Sequence, residues 1–314
     1  MNQDCLAIST AWNSDVHSDI EIMLSEIKEV GFNTIEIGYN FTPRRLKKLI
    51  PLLNSMGIRV VSVHNFCPLP SEVRLNRSYT DYYRLSSLDE KERKKAVDYT
   101  KKSIDTACLV SCQALIIHAG TVELKNDYVR VLLKLYNKGE FESKEYLEVK
   151  QRLLAARQAK RTEYLESVAR SFKEILPYAC SAGVKIGLEN RYYPNEIPNI
   201  EEAEYLISLF KDKGLAYWHD VGHAEVNERL GIAPHNDYLR RFADCILGIH
   251  LHDLKGIDDH LAPFSGDFDW SLIADFMREG LIKVIEAHPP ATPQQIKNAI
   301  ERFSHSRLSF KNPV

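Results

Sequence analysis

The stretch AYWHDVGHA, residues 216–224, runs from apolar residues into two side chains that can bind a metal ion. Asp220 ends the apolar run, and His223 follows it by three residues, with the turn-forming Gly222 between them. Aspartate is also a common first residue of a helix, so this stretch alone fits a strand followed by an ordinary capped helix. Whether the two side chains have a chemical role depends on whether the rest of the chain repeats the pattern.

Eight apolar runs rich in β-forming residues occur along the chain, each bounded by a turn and followed by apolar residues at helical spacing. They span 5–10, 34–38, 58–64, 114–120, 184–190, 215–220, 245–253 and 281–288. The intervening helices have clear ends; PRRLKKLIPLLNSMG, residues 43–57, begins with proline and ends with glycine. Eight strand–helix units predict an α/β protein with a (β/α)8 TIM barrel. A doubly wound sheet is disfavoured because no glycine-rich phosphate-binding turn follows the first run.

The strand–helix count leaves two surplus segments, 65–88 and 121–161. The first is rich in proline, arginine and tyrosine and is predicted to be a loop over one barrel mouth. The second is charged and helical, so we expect a helical insertion after strand 4. Neither segment has the composition of a second domain, and we predict one domain over residues 1–314.

Composition excludes several classes of protein. The chain has 314 residues, 44% of them hydrophobic, and a net charge of −2, which is typical of a globular protein and gives no overall basic field for nucleic acid. The basic stretches 44–48, 91–95 and 157–161 fall in predicted helices, where we expect them on solvated faces. No membrane-spanning run or leader pattern is present, so we expect a soluble cytoplasmic protein without a membrane partner. Six scattered cysteines without a CxxC pair predict buried reduced thiols.

Acids and histidines stand at the ends of nearly all the predicted strands. In a TIM barrel these ends meet at one mouth, where the reactive groups lie. Each residue alone could be an ion-pair partner or a hydrogen-bonded core histidine, but buried carboxylates and imidazoles are costly unless they are paired or bind a metal. The set as a whole therefore predicts a metal site. Its members are Glu36, His64, His118, Glu189, Asp220 with His223, His250 with His252 and Asp253, and Glu286 with His288.

One residue from each of the last four strands supplies the predicted ligands. They are Glu189, Asp220, His250 and Glu286. Three carboxylates and one imidazole suit a divalent Mn²⁺, Mg²⁺, Co²⁺ or Zn²⁺ ion, whereas a softer ion would favour thiolates. His223, one helical turn beyond Asp220, is expected to contact the substrate.

The strand-end motifs resemble those of the xylose isomerase-like TIM-barrel superfamily over nearly the whole chain. The matching motifs are IEIG (35–38), GLEN (187–190), HDVGHA (219–224), IHLHDLKG (249–256), DDHLAPFSGDFDW (258–270) and VIEAHP (284–289). In the loop 258–270, Phe264 and Ser265 stand where the family has Pro-Gly. The superfamily includes sugar isomerases and epimerases, keto-inositol dehydratases and zinc-dependent apurinic-site endonucleases.

The resemblance implies one Mn²⁺-like ion on Glu189, Asp220, His250 and Glu286. His250 is preferred to His252 because family members place an acid three residues after the ligand, as Asp253 is here. The endonuclease members hold three zinc ions, and their ligands also have matches in this chain. Those matches are His64, His118, Glu189, Asp220, His223, His250, Asp258, His260 and Glu286. Asp258, His260 and His252 are therefore possible extra ligands.

The expected function is a divalent-metal-dependent isomerase or epimerase of a small sugar or sugar derivative. Glu189 and Glu286 would act as base and acid around a metal-stabilised enediolate. The expected substrate contacts are His223, Arg191, Glu36, His64 and His118, with Trp12 and Phe66 as apolar walls and Tyr39 as a further candidate. An apurinic-site endonuclease, a keto-inositol-type dehydratase and a sugar-binding barrel without activity remain alternatives. A homo-oligomer formed through 121–161 is possible, and a nucleic-acid partner is disfavoured by the chain's charge.

Overall fold

The computed structural model describes residues 6–72 and 82–305. Eight parallel strands close into one barrel, in which each strand pairs with its neighbours in chain order and the last pairs with the first. The strands are β1 Leu6–Ser9, β2 Thr34–Ile37, β3 Arg59–His64, β4 Ala114–Ile117, β5 Lys185–Glu189, β6 Leu215–Asp220, β7 Ile246–Leu251 and β8 Ile282–Ile285. The predicted (β/α)8 TIM barrel is confirmed.

Nine α-helices lie around the barrel in the described part of the chain. They are α1 Ile20–Glu29, α2 Pro43–Met56, α3 Glu90–Leu109, α4 Tyr128–Asn137, α5 Lys144–Ser181, α6 Ile200–Phe210, α7 Val221–Arg229, α8 His235–Phe242 and α9 Pro293–His305. Short 3₁₀ turns cover Thr10–Trp12, Lys211–Lys213, Ala243–Cys245 and Trp270–Phe276. Local sequence explains the ends: the Thr42 hydroxyl caps α2 and Gly57 ends it at φ 66°. None of these helices combines the length and apolarity needed to cross a bilayer.

The segment after β4 contains the predicted helical insertion. It consists of α4 and the first half of α5, which pack on each other around Leu132, Leu135, Tyr146 and Leu153. The Tyr146 hydroxyl donates a hydrogen bond to the carbonyl of Leu230 and so ties the insertion to the end of α7. Of the other surplus segment, 65–88, residues 73–81 lie outside the described part of the chain, as does Cys5.

Two expectations about individual side chains are wrong in part. Arg93 and Arg157, in two of the basic stretches, are buried ion-pair partners rather than solvated charges: Arg93 bonds to Glu90 and Glu174, and Arg157 to Glu202. The five described cysteines form no disulfide, as expected. Only Cys67 and Cys112 are fully buried, however, because the helix positions of Cys108 and Cys180 face outward and Cys245 is half-buried.

The floor of the barrel is built around one tryptophan. Side chains alternate across a strand, so Trp218 on β6 points into the barrel two residues before Asp220. It packs with Ala7, Ala114, Ile116 and Val284 from three other strands. The ring fits because glycines flank it: Gly248 is its register partner on β7, and a Cβ at Gly187 on β5 would lie 3.0 Å from it. The strand-end residues therefore stand on a rigid base.

We predict that Gly248→Ala destabilises the fold by about 1–3 kcal/mol, because the added methyl group would overlap the indole of Trp218. Gly187→Ala should cost less, since its Cβ would be in tight contact rather than in overlap. Denaturant unfolding of both variants, alone and combined with Trp218→Leu, measures the effect. Equal losses in the presence and absence of the indole would show that the ring does not set this requirement.

Candidate active site

The four residues expected to bind a metal come together at one mouth of the barrel. Glu189 and Asp220 end β5 and β6, His250 is the register partner of Asp220 on β7, and Glu286 directly follows β8. One ligand atom from each residue lies within 4.8 Å of the others, and all four side chains are buried. Side chains alternate between the two faces of a strand, so residues two positions apart point the same way. Each of the four lies two residues after an inward position of the barrel floor, which is why all four point into the barrel mouth.

His250 is surrounded by carboxylates. Its Nδ1 lies 2.9 Å from Glu189 Oε1, 2.8 Å from Glu286 Oε2 and 3.6 Å from Asp220 Oδ2. Burial alone would lower the pKa of His250, but the charges of Glu286 and Glu36 hold it well above its usual value. A buried nitrogen facing three carboxylates requires positive charge between them, supplied either by a proton or by a metal ion.

The neighbouring His252 has a different role, which its hydrogen bonds define. The backbone N–H of His260 donates to His252 Nδ1 at 2.9 Å, so the neutral ring carries its proton on Nε2. That N–H faces the two carboxylate oxygens of Asp220 at 2.9 and 3.0 Å. His252 therefore orients Asp220, which supports the choice of His250 as the ligand.

Glu36 lies behind the ring of His250 and not in the cavity, although a substrate contact was expected. Its Oε2 accepts a hydrogen bond from the Ser62 hydroxyl at 2.7 Å and lies 3.2 Å from His250 Nε2. Glu36 is fully buried. A carboxylate that accepts the second ring N–H of a ligating histidine fixes the tautomer and makes the other nitrogen a better ligand.

A cavity of about 350 Å³ opens above the four residues. The described residues that line it are Tyr39, His64, His118, Glu189, Arg191, Tyr192, Tyr193, His223, Ile257, Asp258, Asp259, His260, Glu286 and His288. The expected contacts His223, Arg191, His64 and His118 are among them. Trp12 and Phe66 are not, because Trp12 Nε1 bonds to the carbonyl of Ala291 and Phe66 packs against Tyr99. Neither ring, expected to form a pocket wall, is among the described residues that line this cavity.

Sequence reasoning missed Tyr192, Tyr193 and Asp259 as cavity residues. It included His288 in the strand-end set but named it neither as a ligand nor as a substrate contact. Tyr192 lies three residues after the end of β5, and its hydroxyl donates to the carbonyl of Ile257, closing one side of the cavity. Asp259 contacts the rings of His260 and His223, at 3.1 and 3.7 Å. The order Glu-Asn-Arg-Tyr-Tyr after a strand is the one sequence signal that could have indicated an aromatic wall at this place.

The remaining histidines form two groups with different ring geometry. The ring planes of His64 and His118 are 87° apart, and those of His223 and His260 are 63° apart. Each pair can direct in-plane lone pairs toward one shared point, with Glu189 completing the first set and Asp259 the second. His252, His260 and His288 instead form a stack with interplanar angles of 10° and 12°. Neighbours in this stack also belong to two further groups whose possible ligand atoms lie within 4.8 Å of one another, Asp220–His252–His260 and His260–Glu286–His288.

Two carboxylates in the cavity are held ionised. Burial alone would raise the pKa of Glu189, but the charge of His118 and hydrogen bonds from His118, His250 and His64 keep it well below its usual value. Burial would also raise the pKa of Glu286, but the charge and the hydrogen bond of His250 outweigh burial and lower this pKa to about 2. Arg191 adds charge at the rim: its guanidinium bonds to Glu196 at 2.9 Å and lies 3.5 Å from Glu189 Oε2. Both carboxylates can therefore accept a proton from a bound molecule.

The motif at 258–270 forms a fixed support for this mouth. Strands Asp253–Lys255 and Asp258–Leu261 pair as a hairpin that carries Asp259 and His260 into the cavity. Asp253 accepts hydrogen bonds from the backbone N–H groups of Leu254 and Phe268 and from Trp270 Nε1. Gly266 lies so close to the Leu254 carbonyl and Asp253 that a Cβ would overlap both. Asp253, the acid three residues after His250, thus gives structural support to the loop.

Comparison with known proteins identifies the family to which this barrel belongs. A family model described as "Xylose isomerase-like TIM barrel" matches residues 24–306. An uncharacterized protein of Sinorhizobium fredii, y4fM, is 22% identical over 96% of this chain and 89% of its own length. The crystal structure of a D-tagatose 3-epimerase-like protein is similar at a TM-score of 0.63 and 20% identity, over 98% of this chain and 97% of that one. The structure of the IOLI protein with a bound zinc atom matches at 0.64 and 15%, over 97% of each chain. At these identities the solved structures share the fold.

Glu36→Gln should lower the affinity for Mn²⁺ or Zn²⁺ by about 10- to 100-fold, because the amide cannot hold the Nε2–H of His250 as strongly as the carboxylate does. Ser62→Ala, which removes only the hydrogen bond to Glu36, should have a smaller effect. Isothermal titration of the metal-free protein with each ion measures the dissociation constants. Unchanged affinity in Glu36→Gln would contradict the role given to this carboxylate.

Proposed function

The chain belongs to the xylose isomerase-like TIM barrel family, and from this premise we propose that it is a divalent-metal-dependent isomerase or epimerase of a small sugar or sugar derivative. The observation that carries the proposal is the convergence of Glu189, Asp220, His250 and Glu286 beneath a cavity lined by hydrogen-bonding side chains. Sugar epimerase-like and zinc-containing relatives of the same fold support it. The proposal treats the whole described barrel as one catalytic domain.

The donor set suits the proposed ion. Three carboxylates and one imidazole are hard-to-borderline ligands of the kind that Mn²⁺, Mg²⁺, Co²⁺ and Zn²⁺ accept, and no cysteine of the described chain joins the cluster. When bound, the ion would supply Lewis-acid charge to a carbonyl and an adjacent hydroxyl oxygen of the substrate. Glu36 and His252 would hold two of its ligands, His250 and Asp220, in position.

Glu189 and Glu286 are the proposed base and acid. Both line the cavity and reach its centre from β5 and β8. The lowered pKa of each favours the ionised form, which is the form that a base requires. One carboxylate would remove the carbon-bound proton. For inversion of the centre, the second carboxylate would first take up a proton from solvent and then deliver it to the opposite face of the same carbon, whereas return of the first proton to the neighbouring carbon would move the carbonyl. His118, 2.6 Å from Glu189 Oε2, would stabilise the ionised base before the proton moves.

The substrate would be held by polar groups around the rim. His223, His64 and His260 can donate or accept a hydrogen bond within the cavity and Arg191 can donate one, as a polyhydroxylated molecule requires. Tyr192 and Tyr193 would exclude water from one side. A keto-inositol-type dehydratase would use the same first proton removal and then expel hydroxide, and the same residues would serve it.

Glu286→Gln should reduce turnover by about 10²–10⁴-fold, because the variant loses both an acid–base group and a ligand charge. Glu301→Gln, on the exposed side of α9, is the matched control and should retain full activity. The assay is proton exchange from solvent D₂O into a panel of ketoses, aldoses and keto-polyols, followed by NMR. Undiminished exchange in Glu286→Gln, or no exchange with any compound by metal-loaded protein, would contradict the proposal.

A zinc-dependent endonuclease-like activity is the second candidate, favoured by one specific observation. Two further triads flank the central four residues, His64–His118–Glu189 and His223–Asp259–His260, and their ring planes allow each to hold its own ion. Against it, the rim carries Asp258 and Asp259, and the chain has a net charge of −2, whereas binding of DNA depends on phosphate neutralisation by Lys and Arg.

The number of bound ions separates the two candidates. We expect one tightly bound ion per chain by elemental analysis, with His64→Asn and His118→Asn leaving that number unchanged while altering KM. Three zinc ions per chain, a loss of one ion in His118→Asn, and cleavage of duplex DNA at abasic sites would instead establish the second candidate.

A further inference from the structure

Asn190 follows the proposed base Glu189 but contributes nothing to the cavity lining. Its side chain is buried, with 1% exposed, and lies between the ends of β5 and β6. The last ladder pair between these strands joins Glu189 to Trp218. Beyond that pair the Asn190 amide continues the ladder: its Nδ2 donates to the Asp220 carbonyl at 2.9 Å, and its Oδ1 accepts from the Asp220 N–H at 2.7 Å.

The orientation of this amide follows from its partners. The backbone N–H of Asp220 can only donate and the backbone carbonyl can only accept, so the oxygen and nitrogen positions of Asn190 are determined without ambiguity. The Tyr217 hydroxyl also donates to Oδ1, at 3.0 Å, from the outer face of β6. The Tyr217 ring is itself fixed by stacking on Phe242 at 4.2 Å. Three hydrogen bonds thus hold the amide in one pose.

The backbone carbonyl of Asn190 reaches a second functional residue. It lies 3.0 Å from His223 Nδ1. Because a carbonyl only accepts, His223 Nδ1 must carry the proton, and the lone pair of the neutral ring is then on Nε2, on the side of Asp259 and the cavity. The N–H of His223 in turn donates to Asp220 Oδ1 at 2.7 Å, which fixes one carboxylate oxygen and starts α7.

From these contacts we propose that Asn190 is a positioning residue that couples the metal ligand Asp220 to the substrate-contacting His223. Its amide fixes the backbone of Asp220, and its carbonyl sets the tautomer of His223, so that one residue holds a ligand and a binding group in register. The inference rests on the proposed function in one respect, because it takes Asp220 to be a metal ligand. The tautomer of His223 is independent of that premise.

The experiment compares Asn190→Ala and the milder Tyr217→Phe with the unaltered chain. The dissociation constant for Mn²⁺ is measured by isothermal titration. The tautomer of His223 is read from ¹⁵N chemical shifts of histidine-labelled metal-free protein, with His223→Asn assigning the signal. Asn40→Ala and Tyr146→Phe are controls that remove a buried amide, bonded to Ser14 and Asp15, and a buried hydroxyl, bonded to the Leu230 carbonyl.

We expect Asn190→Ala to weaken Mn²⁺ binding by about 10- to 100-fold, as for other groups that orient ligands, and Tyr217→Phe by less than about tenfold. The His223 signal should show Nδ1–H in the unaltered chain and a mixture of tautomers in Asn190→Ala. The controls should match the unaltered chain in both measurements, even if their melting temperatures fall.

Three results would overturn the inference. If Asn190→Ala only lowers the melting temperature, with Mn²⁺ affinity within twofold and an unchanged His223 signal, the residue serves the fold alone. If the unaltered chain shows His223 as the Nε2–H tautomer, the carbonyl contact is not the one that sets it. If the unaltered chain binds no Mn²⁺ or Zn²⁺, the proposed function fails with it, whereas normal metal binding with an unaffected variant removes only the inference.

Discussion

The structure of the barrel mouth depends on one constraint, which is the burial of several negatively charged carboxylates close together. Glu189, Asp220 and Glu286 lie within 4.8 Å of one another, with one imidazole nitrogen between them. Removing three carboxylates from water costs several kcal/mol each unless a cation and hydrogen bonds compensate. The surrounding residues provide such compensation: His252 and the N–H of His223 hold Asp220, and His118 holds Glu189. The arrangement is therefore intelligible as a site that requires positive charge.

Rigidity below the site makes this concentration of charge sustainable. Trp218 fills the barrel between two glycines, so β5, β6 and β7 cannot slide relative to one another without opening a cavity or a clash. The same strands end in Glu189 and Asp220 and carry His250. Above them, Asp253 ties the loop of the hairpin to Trp270, and this keeps Asp259 and His260 over the mouth. Repulsion between the ligands is thus opposed by packing on one side and by hydrogen bonds on the other.

The fold and the central four residues were predictable because both depend on periodicity. The two-residue repeat of strands and the 3.6-residue repeat of helices can be recognised in a single sequence. The C-terminal ends of the parallel strands of a barrel meet at one mouth, whatever the length of the segments that connect the strands. The roles of Glu36, Trp12 and Phe66 were not predictable, because each is decided by a partner from another part of the chain: His250, Ala291 and Tyr99. Arg93 and Arg157 looked like solvated charges for the same reason, since their acids Glu174 and Glu202 lie on other helices.

The histidine-rich rim also shows how one scaffold can serve different chemistries. The rings of His64 and His118 are nearly perpendicular, whereas those of His260 and His288 are nearly parallel, and both arrangements belong to groups with possible ligand atoms within 4.8 Å of one another. The rings also differ in protonation. Burial would lower the pKa of His260, but Asp259 raises it to about 9. Burial and the charge of His260 lower the pKa of His288 to about 3. A charged donor then lies beside a neutral acceptor. Such alternation suits the hydroxyl groups of a polyol, each of which both donates and accepts, better than it suits a row of phosphates.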